Sequence, residues 1–291
     1  MGAFDGVHAG HRKVLAQLKD IAKQNDSRSV VLTFVPHPRI YFNPNIDLRL
    51  LNTLDEKIAL LKEQDIDYLI LQPFDAEFAG KSPEIFINEL VNKTKMKHLL
   101  MGYDHSFGKN GAGNFDLVKK LSIKNDFEVH QIEELKNDVG KISSTAVRKA
   151  LLAGKVEEAN QILGYPYMLM GKVVKGNQLG RTIGFPTANI QVEDKYKLFP
   201  KKGVYVVSVQ IDNATVFGMM NLGLRPTVDG KKMVIEVYLF DFDQDIYGQS
   251  IRVSFLKRLR DEQKFSSVDA LKKQLELDEI TSRKYIETLQ K

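Results

Sequence analysis

The sequence contains no cysteine, which removes disulfides, thiolate zinc sites and cysteine nucleophiles from consideration and leaves the compartment open. It has no uninterrupted apolar run of about 18 residues, the length at which a membrane-spanning helix is suspected, and no charged-then-apolar leader. Neither a span nor secretion is expected, and the cytoplasm is the default. Internal repeats and low-complexity linkers are missing too. So is a one-sided lysine and arginine stripe with interleaved aromatics, the pattern of a nucleic-acid surface. Residues 1–165 are balanced at 22 basic and 22 acidic side chains, while 166–291 carry 20 and 15, so the net charge of +5 belongs to the C-terminal part. A field of that size suits a small polyanion such as a nucleotide.

What is present is apolar matter for real cores, 43% of 291 residues, in a chain long enough for two modest domains. Val14, Leu15, Leu18, Ile21 and Ala22 share one face of a helix expected over Arg12–Gln24. The run SVVLTF that follows reads as a buried strand. The alternation continues with helix Leu54–Gln64, strand Tyr68–Gln72, helix Pro83–Lys93, strand His98–Met101, a helix near Phe115–Ile123 and strand Glu128–Ile132. Alternating buried strands and helices mean βαβ crossovers, a Rossmann-like α/β domain with a parallel sheet. Helices near Thr145–Ala153 and Val156–Leu163, each ending at a glycine, close a first domain of residues 1–165.

Beyond Tyr165-Pro166 the grammar changes. MLMGKVV, GVYVVSVQI, TVFGMMNL, MVIEVYLFDF and IRVSFLKRL are closely spaced strands with turn residues between them, interrupted by a loop Gly176–Lys201. They predict an antiparallel barrel or sandwich over 166–291. From about Ser267 a terminal helix is expected, with Val268, Leu271, Leu275 and Ile280 as its stripe.

Two stretches carry chemistry in the first domain. GAFDGVHAGH leads into the first helix, where free amides and the positive dipole end attract phosphate. Gly2, Gly6 and Gly10 let backbone approach a ligand, and His8 and His11 can donate to phosphoryl oxygens. The competing readings are a capping role or a zinc pair, for which no third ligand stands at a suitable spacing. ISSTAVRKAL crowds Ser143, Ser144 and Thr145 at a second helix start with Arg148 one turn in, a second phosphate cradle or a plain cap. Taken together the two stretches read as opposite jaws on one triphosphate.

The second domain carries GRTIGFPTANI, in which Thr187 and Asn189 point the same way from an extended segment and can face one Mg²⁺ or phosphate, or simply satisfy a turn. In MVIEVYLF, alternation puts Glu236 in a row with Val234, Tyr238 and Phe240. There it is either solvated at an edge or set in a cleft, where desolvation would raise its proton affinity toward that of a general base.

At these residues the chain resembles a known family. FDGVHAGH is similar to the HxGH signature of nucleotidyltransferases and ISSTAVR to its phosphate-binding partner. TFVPHPR, GYDHSFG, GKVVKGNQLGRTIGFPTANI, NLGLRPTVDG, IEVYLFDFDQDIYG and FLKRLRDEQKF extend the resemblance nearly end to end to the bacterial bifunctional riboflavin kinase/FMN adenylyltransferases, or FAD synthetases. The resemblance implies a nucleotidyltransferase domain that transfers AMP from ATP to FMN with release of pyrophosphate, and a riboflavin kinase barrel that phosphorylates riboflavin. Implied at the first site are His8 and His11 at the α-phosphate; Gly2, Phe4, Asp5, Gly6, Ser144, Thr145 and Arg148 around the nucleotide; and Phe34, His37 and Asp104 at the flavin. Implied at the second are Glu236 as base, Thr187 and Asn189 at the metal, expected as Mg²⁺, and Lys175, Gly176, Gly180 and Arg181 in the phosphate loop. Riboflavin, FMN and ATP are the expected partners, with no nucleic acid and no membrane. The rival readings are a kinase with an inactive first domain and a non-catalytic flavin sensor.

One departure stands out. The family places about twenty residues, including a central strand, before the histidine loop, whereas here the loop begins at Gly2. A sheet without that strand should leave backbone groups unpaired and a hydrophobic slot open. A start missing from the sequence is the favoured expectation over an inactive domain.

Overall fold

The chain divides into two units, Met1–Leu50 with Lys57–Ile142, and Leu51–Glu56 with Ser143–Lys291. The structure, a computed structural model, describes all residues except 103–105, 109–110, 133–135, 138–139, 177–178, 228–229 and 291.

The first unit runs α1 (Ala9–Gln24), β1 (Val30–Val35), α2 (Pro38–Phe42), most of α3 (Leu54–Lys62), β2 (Tyr68–Pro73), α4 (Ala76–Gly80), α5 (Pro83–Thr94), β3 (His98–Gly102), α6 (Phe115–Asn125), β4 (Glu128–Ile132) and the short β5 (Lys136–Asn137) and β6 (Gly140–Lys141). Helix α1 starts three residues earlier than its apolar stripe indicates, because the His8 side chain accepts from His11 N–H and caps it. Ser82 with Pro83 starts α5 and Asn114 starts α6, each by a side-chain bond to the third residue on. A core of Leu32, Phe86, Ile87, Leu99, Met101, Val118, Leu121 and Phe127 holds α5 and α6 to the strands, each such side chain contributing about 1.5–3 kcal/mol on burial.

The four longer strands are parallel, but they form two separate pairs, and β5 and β6 make a third, antiparallel one. β1 pairs with β2 from Val30↔Tyr68 to Val35↔Pro73, and β3 with β4 from His98↔Glu128 to Gly102↔Ile132. Residues of both β1 (Val30, Leu32) and β3 (His98, Leu100) border a cavity of about 490 Å³ that Leu18 of α1 and Met1 also line. At its edge Gly2 N–H donates to Leu32 O at 3.0 Å.

The second unit begins with α7 (Ser144–Ala153) and α8 (Val156–Leu163), both ended by a left-handed glycine, Gly154 at φ +82° and Gly164 at φ +79°. Then come β7 (Met168–Val174), α9 (Leu179–Thr182), β8 (Thr187–Gln191), β9 (Gly203–Ile211), β10 (Ala214–Thr227), β11 (Gly230–Leu239), β12 (Ser250–Arg260) and α10 (Val268–Leu289). The six strands close an antiparallel barrel in the order β10-β11-β8-β7-β12-β9. Strand β8 lies inside the stretch expected as a loop over Gly176–Lys201, and it closes the barrel by bridging β7 and β11. Asn160 of α8 donates to Phe255 O at 2.9 Å and accepts from Tyr167 N at 2.7 Å, tying the helix to the barrel.

The stripe of α10 differs from expectation. Leu271 and Leu275 face inward, but Val268 and Ile280 are about half exposed and the buried positions are Asp278, Ser282 and Ile286. The face is set by a polar residue: Asp278 takes Arg260 of β12 through bonds of 2.7–3.0 Å, which a count of apolar side chains does not register.

Candidate active sites

The first unit places the histidines in a strained loop. Phe4 and Val7 hold left-handed backbone at φ +47° and +35°, both buried, and Gly6 between them takes φ +89°. Two non-glycine residues there, one β-branched, cost about 1–3 kcal/mol each and persist only where the surroundings hold them. The loop delivers His8 to the cap of α1, where its Nδ1 accepts from His11 N–H at 3.4 Å. On the neutral ring that assigns the proton to Nε2, a donor.

The two imidazoles stack at 3.7 Å between centroids, and the His11 ring leans on Phe4 at 5.2 Å. Burial lowers His8 from 6.5 to about 4, partly offset by a backbone hydrogen bond. Burial, then His8 and Lys57, push His11 well below the usual imidazole range. Both rings are therefore neutral at physiological pH and donate N–H bonds without carrying charge. Among the described residues His11 Nδ1 is buried with no hydrogen-bond partner, so that ring retains bonding capacity for a ligand. Gly10 leaves this ring undisturbed: a Cβ there would stand 3.2 Å from His8 Nδ1, close enough to press on it.

Lys57, which the sequence reading passed over, is a buried ammonium whose pKa burial lowers and Asp5 raises, and it acts electrostatically on His11. Asp5 is itself buried. A lone lysine in the helical pattern LDEKIALLK gives no sign of this.

Phe34 and His37 lie at the carboxyl end of β1. Phe34 packs on Phe74 and Phe78, each at 5.6 Å, and Tyr41 and Phe42 close on Phe74 at 5.3 and 5.6 Å. Phe42 keeps 68% of its surface exposed. An exposed aromatic edge on a packed aromatic cluster can stack a planar heterocycle. His37 caps α2 through its Nδ1. Asp104 lies outside the described residues.

Ser144, Thr145 and Arg148 belong to the second unit. The capping hydroxyl of α7 is Ser143, which accepts from Ala146 N–H at 3.2 Å. Ser144 and Thr145 occupy the first turn, Thr145 exposed, and Arg148 follows one turn on, half-buried.

In the barrel, Glu236 pairs in register with Asn189 of β8 on one side and Asn221 of β10 on the other, and Tyr238 pairs with Thr187. Partners in register share a face, so Thr187, Asn189, Glu236 and Asn221 form a polar row across three strands. Thr187, Asn221 and Glu236 border a cavity of about 380 Å³ shared with Gly180, Phe185 and Tyr238, with Arg260 at the end of β12, and with Glu262 and Phe265 beyond it. Glu236 thus borders a cavity and is half-buried. A second cavity, about 350 Å³, is lined by Arg181 and again Thr187, together with Asp243 and Asp245. Lys175 is exposed next to Gly176. Gly176 packs its backbone against the Asn189 amide so closely that any Cβ would overlap it, and Gly180 likewise meets Phe185 O.

Asn221, Arg260 and Glu262 were not singled out from the sequence. The last two stand in FLKRLRDEQKF, which carried the resemblance without a role attached. The oxygens of Thr187 and Asn189 beside a carboxylate form a hard donor set that fits a divalent ion of the Mg²⁺ or Ca²⁺ kind.

Residues 1–146 match the family model of FAD synthetase, and residues 163–286 that of riboflavin kinase. The bifunctional riboflavin kinase/FMN adenylyltransferase of Haemophilus influenzae is 41% identical over 288 residues, covering 98% of this chain and 92% of the relative. That of Listeria monocytogenes is 39% identical over 293 residues, covering 100% and 92%. A solved Streptococcus pneumoniae chain described as a macrolide-efflux protein superposes with a TM-score of 0.88 at 36% identity, covering 97% of this chain and 92% of that one. Among the described residues here, no helix is long and apolar enough to cross a membrane. With both family models matched and relatives of about 40% identity aligned over nearly all of its length, this chain belongs to the bifunctional riboflavin kinase/FMN adenylyltransferase family.

Proposed function

We propose that the chain converts riboflavin to FMN in its barrel and FMN to FAD in its α/β part, with division near residue 165, into 1–165 and 166–291. The matched ranges, 1–146 and 163–286, support that division.

The observation that carries the kinase is the row of Thr187, Asn189 and Glu236 beside the 380 Å³ cavity. Glu236 takes the proton of the ribityl 5′-hydroxyl as that oxygen attacks the γ-phosphorus of ATP, and ADP leaves. Thr187 and Asn189 would hold Mg²⁺, which when bound neutralises phosphate charge. Gly176 and Gly180 keep backbone close to the phosphates, and Lys175 and Arg181 supply positive charge. Such transfer rests on positioning and charge neutralisation, for which this set suffices.

In the α/β part the phosphate oxygen of FMN attacks the α-phosphorus of ATP in line, and pyrophosphate leaves. His8 and His11, neutral N–H donors at a helix start, stabilise the charge that builds on the α-phosphate. Gly2, Phe4, Asp5 and Gly6 shape the loop around the nucleotide. Ser144, Thr145 and Arg148 form a second phosphate-holding helix start, and Phe34 with its aromatic neighbours, His37 and Asp104 serves the flavin. Use of ATP supports a cytoplasmic setting. The expected partners are small molecules only.

Incubation with riboflavin and Mg·ATP, followed by separation of riboflavin, FMN and FAD, tests this. FMN followed by FAD is expected. FMN alone would mean a kinase with a silent first domain, and neither product would mean a flavin sensor.

A further inference from the structure

We propose that His98, Glu128 and His130 form a zinc-binding site that stitches β3 to β4. His98 and Glu128 are register partners at the first positions of the two parallel strands, and His130 stands two residues beyond Glu128. The period of two puts Glu128 and His130 on one face of β4, and the pairing puts His98 on the same face of β3.

The ligand atoms converge accordingly. His98 Nδ1 lies 3.2 Å from His130 Nε2, and Glu128 Oε2 lies 3.6 Å from the first and 3.7 Å from the second. In a tetrahedral zinc site with Zn–N of about 2.0–2.1 Å, neighbouring ligand atoms stand about 3.3–3.4 Å apart. The triangle is therefore one face of such a tetrahedron with minor adjustment of a mobile carboxylate. Two imidazoles and a carboxylate are a donor set of the zinc type and a poor one for Mg²⁺, which prefers oxygen alone.

Exposure is graded as an accessible site needs. The His98 side chain is 15% exposed, His130 32% and Glu128 72%, so the imidazoles are held by packing while the carboxylate side stays open for a fourth ligand. The position argues for a structural role. The cluster stands at the amino ends of its strands, whereas ligands of open α/β sheets gather at the carboxyl ends. β3 pairs with β4 over five register positions, so a metal joining the two at their first residues reinforces that ladder.

The test uses the full chain stripped with a chelator. Titration with Co²⁺, a visible reporter for zinc, should give the absorption of a tetrahedral site at one equivalent, and Zn²⁺ should displace it. Zinc should also raise the thermal midpoint of the wild type. His98→Gln with His130→Gln should abolish the spectrum and the thermal shift, and Glu128→Gln should weaken binding by about tenfold or more. Far-UV circular dichroism of each variant checks that it folds, and the single His130→Ala serves if the double variant does not. Absence of the Co²⁺ spectrum in the wild type would overturn the assignment. So would a spectrum that survives in the double variant, because it would put the metal elsewhere, with the stacked His8 and His11 as the obvious alternative.

Discussion

Lys197 Nζ lies 2.5 Å from Glu56 Oε2, and neither side chain has any exposure to solvent. The remaining ammonium protons go to Leu51 O and Met168 O, both at 2.8 Å, while Glu56 also accepts from Thr53 N and Met170 N at 2.9 and 2.7 Å. The segment Leu51–Glu56 is thereby fastened to the unit that holds the barrel. Removing one partner strands a buried charge: Lys197→Met should destabilise that unit by about 3–5 kcal/mol. Lys197→Met combined with Glu56→Gln should lose clearly less than the sum of the two single changes in urea unfolding, and additive losses would show that the two groups act independently.

Glu236→Ala should lower riboflavin phosphorylation by about two to four orders of magnitude, the span of a general base. Adenylylation of supplied FMN should be untouched. Chromatography of the flavins measures both, and parallel loss would indicate misfolding instead.

Gly10→Ala places a methyl 3.2 Å from His8 Nδ1 and 3.3 Å from its Cε1, with Ile142 behind it. The ring must shift, and small misplacements at a reacting centre cost about ten- to a hundredfold in rate. FMN adenylylation should fall by that order while riboflavin phosphorylation stays at the wild-type rate.

Gly176→Ala is the counterpart in the barrel. Its Cβ would overlap the Asn189 amide, so Asn189 must leave the row it forms with Glu236. The KM for Mg·ATP in riboflavin phosphorylation should rise by about tenfold or more, the scale expected when a positioning group is displaced. Adenylylation again serves as the internal control.

The histidine pair makes stability depend on pH. His8 titrates at about 4 in the folded protein against 6.5 as the ordinary value. Between those limits the unfolded chain binds a proton that the folded chain refuses. Stability is therefore fully present above 6.5 and is lost as pH falls through 4, by about 3 kcal/mol at most. His11 adds in the same direction. Urea unfolding across this window should show a shallower slope for His8→Gln than for the wild type, and equal slopes would remove His8 as the cause.

Much of this was legible in the sequence where periodicity and pattern agreed. The strand Glu128–Ile132 and the helix Val156–Leu163 stand where the patterns put them, and the alternation around Glu236 gave the correct face. What escaped was decided by partners distant in sequence. Strand β8 is only five residues long and shows as a strand only once β7 and β11 flank it. Asp278 reads as a solvated helix residue until Arg260, 18 positions earlier, meets it. Lys57 and the aromatic neighbours Phe74 and Phe78 carry no local signature, because their role comes from the packing of separate elements. The cap made by His8 was the opposite case, since a histidine at a helix start was visible but its ring geometry was not.

The way the barrel closes has a colloidal consequence. Unpaired ladder edges recruit foreign backbone. The closed barrel is the contrasting case: with β10-β11-β8-β7-β12-β9 joined in a ring, its six strands offer no ladder edge to foreign backbone, so the kinase half should stay dispersed at concentrations where open sheets associate.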